Sequence, residues 1–89
     1  MTFTKDPDAV LDYSVDWSAW LGGDEISSSE WLLEQGALIE KMTDTKTATK
    51  TTVWLRGGQA GTTYLVTNRI VTTGGRTDDR TISVKVEDR

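Results

Sequence analysis

A chain of 89 residues with no cysteine, no histidine and a net charge of −4 is sized for one domain, spanning 1–89, with a modest core. Without thiol or imidazole it lacks the usual nucleophile–base pairs and cysteine-based metal sites. No basic segment followed by an apolar run opens it, and no stretch approaches the ~18 to 20 apolar residues of a membrane span. The expectation is a soluble product with no export address and no membrane partner.

The charge is unevenly spread. Residues 1–34 hold eight acids against Lys5 alone, while residues 35–89 hold nine bases against six acids. Either acidic and basic strands lie side by side and neutralise one another, or the surface has two poles that dock copies of the chain or a partner. Nucleic acid is disfavoured, because no basic cluster is interleaved with aromatics and the net charge repels phosphate. Fifteen threonines and eleven valines and isoleucines favour pleated strands over helices.

In chain order, Asp6-Pro7-Asp8 reads as a turn, and residues 1–9 are expected to form a loose arm. Residues 11–17 then alternate without a fault, with Leu11, Tyr13, Val15 and Trp17 on one face and Asp12, Ser14, Asp16 and Ser18 on the other. The pattern breaks at 19–21, and Gly22-Gly23-Asp24 is a turn. Residues 25–33 read as a second strand, in which Ile26 and Trp31 share a face only across a bulge among 27–29. A rival reading makes 29–35 a short helix stopped by Gly36. Residues 37–43 form a third strand, with either Leu38 and Met42 or Ile39 inward. Residues 44–50 are polar, a sheet-crossing segment or a weak edge strand whose lysines discourage unwanted pairing.

Residues 51–56 place Val53 and Leu55 on one side and Trp54 on the other. A glycine-rich turn at 57–61 leads into 61–71, where Tyr64, Val66, Asn68 and Ile70 face one way. Residues 74–79 are a hairpin loop, and 80–87 are the last strand, with Ile82, Val84 and Val86 inward. A tyrosine just after the turn into the penultimate strand has the placement of a tyrosine corner. About seven strands at this spacing predict an all-β, immunoglobulin-like Greek-key sandwich, with a small β-barrel as the alternative.

No set of residues looks catalytic. Asp12 and Asp16 share a strand face, but four residues of strand span ~13 Å, beyond the ~5 to 10 Å of glycosidase carboxylates. Asp24-Glu25 and Asp78-Asp79 sit in or beside turns without the spacing of a calcium loop. Hence no metal and no cofactor is expected. The four tryptophans say more. Trp17 and Trp31 belong in the core and, with Tyr64, specify the fold. Trp20 and Trp54 fall outside the inward pattern and, with Asp12 and Asp16, are the candidates for a contact surface.

The run KDPDAVLDYSVDWSAWLGGDEISSSEW, followed by VWLRGGQAGTTYLVTNRIVTTGGRTDDRTISVKV, resembles small structural proteins of tailed bacteriophages and prophages. The marks are DxxxDWSxWL (Asp12, Asp16, Trp17, Ser18, Trp20, Leu21), GGxxGTTYxVTNRI and GRTDDRTI. The resemblance implies an immunoglobulin-like accessory module of the virion, made in the host bacterial cytoplasm. It would bind capsid, connector or tail proteins, in many symmetric copies, and would not be an enzyme. A carbohydrate- or host-surface-binding module stacking sugars on Trp20 and Trp54 is the alternative. A small phage enzyme or enzyme regulator is a third, disfavoured reading.

Overall fold

Alternation decides most of the architecture. In the computed structural model, which describes residues 2–34 and 36–88, Tyr64, Val66, Asn68 and Ile70 of the strand Thr63–Thr72 are all buried. Leu65 and Arg69 point to solvent. The seven strands are β1 (Thr2–Lys5), β2 (Leu11–Asp16), β3 (Ile26–Leu33), β4 (Ile39–Lys46), β5 (Lys50–Gly57), β6 (Thr63–Thr72) and β7 (Thr77–Val86). They form a four-stranded sheet in the order β1-β7-β6-β3 and a three-stranded sheet in the order β2-β5-β4. Two separate sheets enclosing one apolar cluster make this the all-β sandwich expected, rather than a closed barrel. The core includes Val15, Trp17, Val53, Leu55, Val66, Ile70, Ile82 and Val84, none with exposed surface. Truncating any of these aliphatics to alanine costs about 2–4 kcal/mol through lost transfer energy and a residual cavity.

Several elements depart from the sequence reading. Where 1–9 was expected to be a loose arm, residues 2–5 are β1, paired in parallel with β7 from Thr2↔Ser83 to Lys5↔Val86; Met1 lies outside the described residues. Lys5 is fully buried, and its Nζ donates to the carbonyls of Gly57 (2.7 Å) and Asp6 (2.8 Å). Burial penalises its ammonium and lowers its pKa, against the pull of Asp6 and Asp8. The chain also makes one turn of helix, α1 (Ser18–Leu21), where the strand pattern fails. Gly22, at φ 57°, ends it in the left-handed conformation that suits glycine.

β3 is a strand through Leu33, not the rival helix of 29–35, whose last residue, Gln35, lies outside the described residues. Its pairing with β6 slips between Ile26 and Ser28. That bulge at Ser27 is what lets both Ile26 and Trp31 enter the core. Residues 44–50 do not cross between sheets. Asp44, Thr45 and Lys46 extend the edge strand β4, and the turn to β5 is closed by the Thr47 amide donating to the Lys50 carbonyl (2.8 Å). Ile39 is the inward residue of β4, so alternation leaves Leu38 and Met42 exposed, and a second bulge, at Met42, shifts the register with β5. The last strand starts at Thr77, so the hairpin loop is shorter than 74–79.

The tyrosine corner is formed. Tyr64 is buried, and its hydroxyl accepts a hydrogen bond from the Gln59 amide at 2.9 Å. This fixes the crossover that carries the chain from the three-stranded to the four-stranded sheet. Gly58 lies against the ring at φ 95°, where a Cβ would stand 2.8 Å from Val86 Cγ2 and 3.3 Å from the Tyr64 ring.

Candidate functional site

Two surfaces gather the residues singled out from the sequence, and they are separate. The first is the outer face of the three-stranded sheet. β2 pairs with β5 so that Asp12 is opposite Trp54, and β5 pairs with β4 so that Trp54 is opposite Thr43. Trp54 is on the outward side because Val53 and Leu55 take the inward positions, and it is 39% exposed. On one side of it, Arg56 pairs with Glu40 at 2.9 Å. On the other, the hydroxyls of Ser14 and Thr52 are 2.9 Å apart, and Asp16 stands opposite Lys50. Met42 at the β4 bulge, Leu38 just before β4 and Val10 just before β2 are also exposed. The result is an indole at the middle of a sheet face, with apolar side chains at its margins and charges of both signs around it.

The second surface is the end of the sandwich built on α1, and it shows what Trp20 and Asp16 do. Trp17 is buried, and Trp20 meets it edge-on, with ring centroids 5.4 Å apart at 70°. The Arg76 guanidinium lies 4.3 Å above the Trp20 ring, and that of Arg80 lies 4.3 Å above the Trp17 ring. Arg76 also donates to the Leu21 carbonyl at 2.6 Å and to Asp24 Oδ2 at 3.3 Å. Arg80 donates to the Asp16 carbonyl at 2.9 Å. A face of the Trp20 ring that a sugar would stack on is therefore covered by Arg76. Asp16 accepts the Ser18 amide at 2.9 Å and shapes the turn into α1. That bond, then the Ser18 side chain, then Lys50 and Arg80 keep its carboxyl below the ordinary aspartate pKa.

Asp24, weighed from the sequence as a calcium ligand, is taken up by donors of its own chain. Its Oδ1 accepts the Glu25 amide (2.8 Å), the Thr73 hydroxyl (2.9 Å) and the Gly74 amide (3.1 Å). Hydrogen bonds from the Thr72 side chain, the Glu25 amide, Thr73 and Gly74 hold its carboxyl far below the usual aspartate range. It ties the turn after α1 to the β6–β7 hairpin. Asp79 of the other acidic pair is bound bidentately by Arg69, at 2.9 and 3.0 Å.

Sequence reasoning missed Asn68, Arg76, Arg80 and Lys5. Asn68 carried a signal, a polar residue at an inward position of an otherwise apolar face. The two arginines carried none, since their partners are 52 to 64 residues away in the chain.

Comparison with known proteins agrees with the fold and adds a family. The family described as podophage GP4 fiber-tail adaptor protein gp77 matches residues 5–85. Among solved structures, the PKD domain of the KIAA 1837 protein is similar over 99% of this chain and 79% of that one. The TM-score is 0.59 at 22% identity, a likeness of fold alone. No curated protein sequence matches.

Proposed function

The chain belongs to the podophage GP4 fiber-tail adaptor family, and from that premise we propose that it joins a fibre to the tail of the virion. It is a structural accessory protein of a phage. In this reading it works by binding alone, in several symmetric copies, after synthesis in the host cytoplasm. The observation that carries the proposal is the family match over 5–85, nearly the whole sandwich.

The outer face of the three-stranded sheet is the contact surface this reading assigns. An indole at the centre of a sheet face with exposed apolar side chains at its margins has the composition of an interface core. Asp12, Glu40 and Arg56 around it suit a rim that sets orientation rather than affinity. Asp16 stands at the margin of the same face. Trp20 supports it from outside, by ordering the end of the sandwich.

The test is a phage in which the gene is deleted and supplied in trans. Particles made without the protein are expected to carry tails but no fibres, and the wild-type copy should restore both fibres and protein to the particle. A Trp54→Ala copy should restore neither fully, although the purified variant folds. Fibres retained on particles that lack the protein would overturn the adaptor reading. Full restoration by Trp54→Ala would overturn the assignment of the face.

A further inference from the structure

A sandwich of two open sheets has four edge strands, and three of them are blunted here. β1 has four residues and runs into Asp6-Pro7. β2 carries two charges in its six residues, aspartates at 12 and 16, where the six residues 28–33 of β3 carry one. β4 carries Lys41, Lys46 and the Met42 bulge. Short length, lysine, proline and bulges are the usual means of discouraging a further strand. β3 is different. It is eight residues long and has no lysine, arginine or proline. Its bulge is confined to its first residues, where the Ala48 carbonyl also accepts the Ile26 amide at 2.9 Å. From 28 to 33 it pairs in unbroken register with β6 on one side. Among the described residues no strand pairs with its other side.

Two further observations fall along this stretch. A shallow cleft of about 340 Å3 beside it is lined by Leu32, Leu33, Glu34, Leu65, Thr67 and Thr81, with Leu65 47% exposed. Trp31, pointing inward from the middle of the stretch, is 5% exposed, and its Nε1 has no hydrogen-bond acceptor among the described residues. A buried indole N–H without an acceptor is costly. A strand laid along β3 would place an inward side chain beside Trp31 and an outward one beside the Leu32 cleft. Three acidic side chains, Glu25, Glu30 and Glu34, lie near this edge, and the one base opposite them on β6, Arg69 facing Glu30, is itself bound by Asp79. Pairing β3 with β3 of a second copy would set these like charges against each other, whereas a basic segment complements them.

We propose that the 28–33 edge of β3 receives an extended, basic segment of a partner virion protein, which adds as a fifth strand to the four-stranded sheet. This rests on the adaptor reading for the nature of the partner and gives the adaptor a second contact, an edge as well as a face. The mode is strand addition: main-chain bonds supply affinity, and alternate side chains supply selectivity.

The test uses the isolated chain, so its outcome is separate from whether particles lacking the protein carry fibres. The probe is a synthetic peptide of strand length (~8 residues) alternating lysine with valine, with asparagine at a central inward position to accept the Trp31 N–H. Its control is the same peptide with glutamate for lysine. In an NMR titration the lysine peptide is expected to shift and protect the amides of 28–33 and to move the Trp31 indole N–H signal. The indole signal of Trp17, already bonded to Asn68, should stay in place. Glu30→Gln, which removes the charge without setting a second base opposite Arg69, should weaken binding about two- to fivefold. The proposal is overturned if neither peptide perturbs β3, if both bind equally, or if the shifts gather around Trp54. Concentration-dependent protection of β3 without peptide would put a second copy on the edge and overturn it as well.

Discussion

The indole Nε1 of Trp17 donates to Oδ1 of Asn68 at 3.0 Å across the interior of the sandwich. The same oxygen accepts the Thr51 hydroxyl at 2.7 Å, and the Asn68 amide nitrogen donates to Ser29 Oγ at 2.9 Å and to the Glu30 carbonyl at 3.1 Å. One side chain without exposed surface thus has both its oxygen and its nitrogen engaged. It joins β3 and β6 of one sheet to β5 and the end of β2 in the other. A buried polar group is tolerated at such a position when its partners are all present, and it then favours one alignment of the sheets.

Asn68→Ala is expected to cost about 3 kcal/mol, because it leaves the Trp17 N–H and the Thr51 hydroxyl buried without their acceptor. Asn68→Asp keeps the acceptor but sets a carboxylate against the Glu30 carbonyl. Its deficit should shrink as pH falls and the buried carboxyl takes up a proton. Urea midpoints at neutral and acidic pH measure both. A neutral effect of Asn68→Ala would mean the network holds nothing together.

At the other end of β6, Tyr64→Phe removes only the acceptor of the Gln59 amide. It should cost about 1 kcal/mol, read as a lower denaturation midpoint with an unchanged slope. An unchanged midpoint would count against the tyrosine corner.

Gly58→Ala should be worse than Tyr64→Phe, about 2 kcal/mol or more. It combines a positive φ with a Cβ that meets Val86 and the Tyr64 ring. Thermal melts of the two variants side by side test this order.

Arg76→Lys keeps the charge but loses the planar stack on Trp20. It should destabilise by about 1 kcal/mol and change the tryptophan fluorescence, and Arg76→Ala should cost more. If lysine serves as well as arginine, the ring contact contributes nothing and only the charge beside Asp24 matters.

Acid stability follows from the depressed carboxyls of Asp24, Asp16 and Asp79, the last held down by its bond to Arg69. Each binds a proton less readily folded than unfolded, where aspartate titrates near 3.8. Their stabilisation is therefore complete above that value and is lost as pH falls below it toward the lower folded values. Asp24→Asn should be less stable at neutral pH and decline more shallowly below pH ~4. Parallel declines in urea midpoint against pH would refute this role for Asp24.

Alternation along single strands, with the turn spacing, was enough to assign the inward faces of β2, β5, β6 and β7, to place the tyrosine corner and to favour a sandwich over a barrel. Those features are local, since side-chain direction has a period of two and turns have their own chemistry. The bulge in β3 was legible too, because Ile26 and Trp31 cannot otherwise share a face. Tertiary structure decided which strands are neighbours. The parallel pairing of β1 with β7 and the burial of Lys5 depend on residues some 50 to 80 positions away. The same is true of Arg76 covering Trp20. Asn68 stands between the two cases. Its odd polarity is visible in the sequence, but its partners exist only once the sheets are stacked, because no local pattern records which side chains meet across a core.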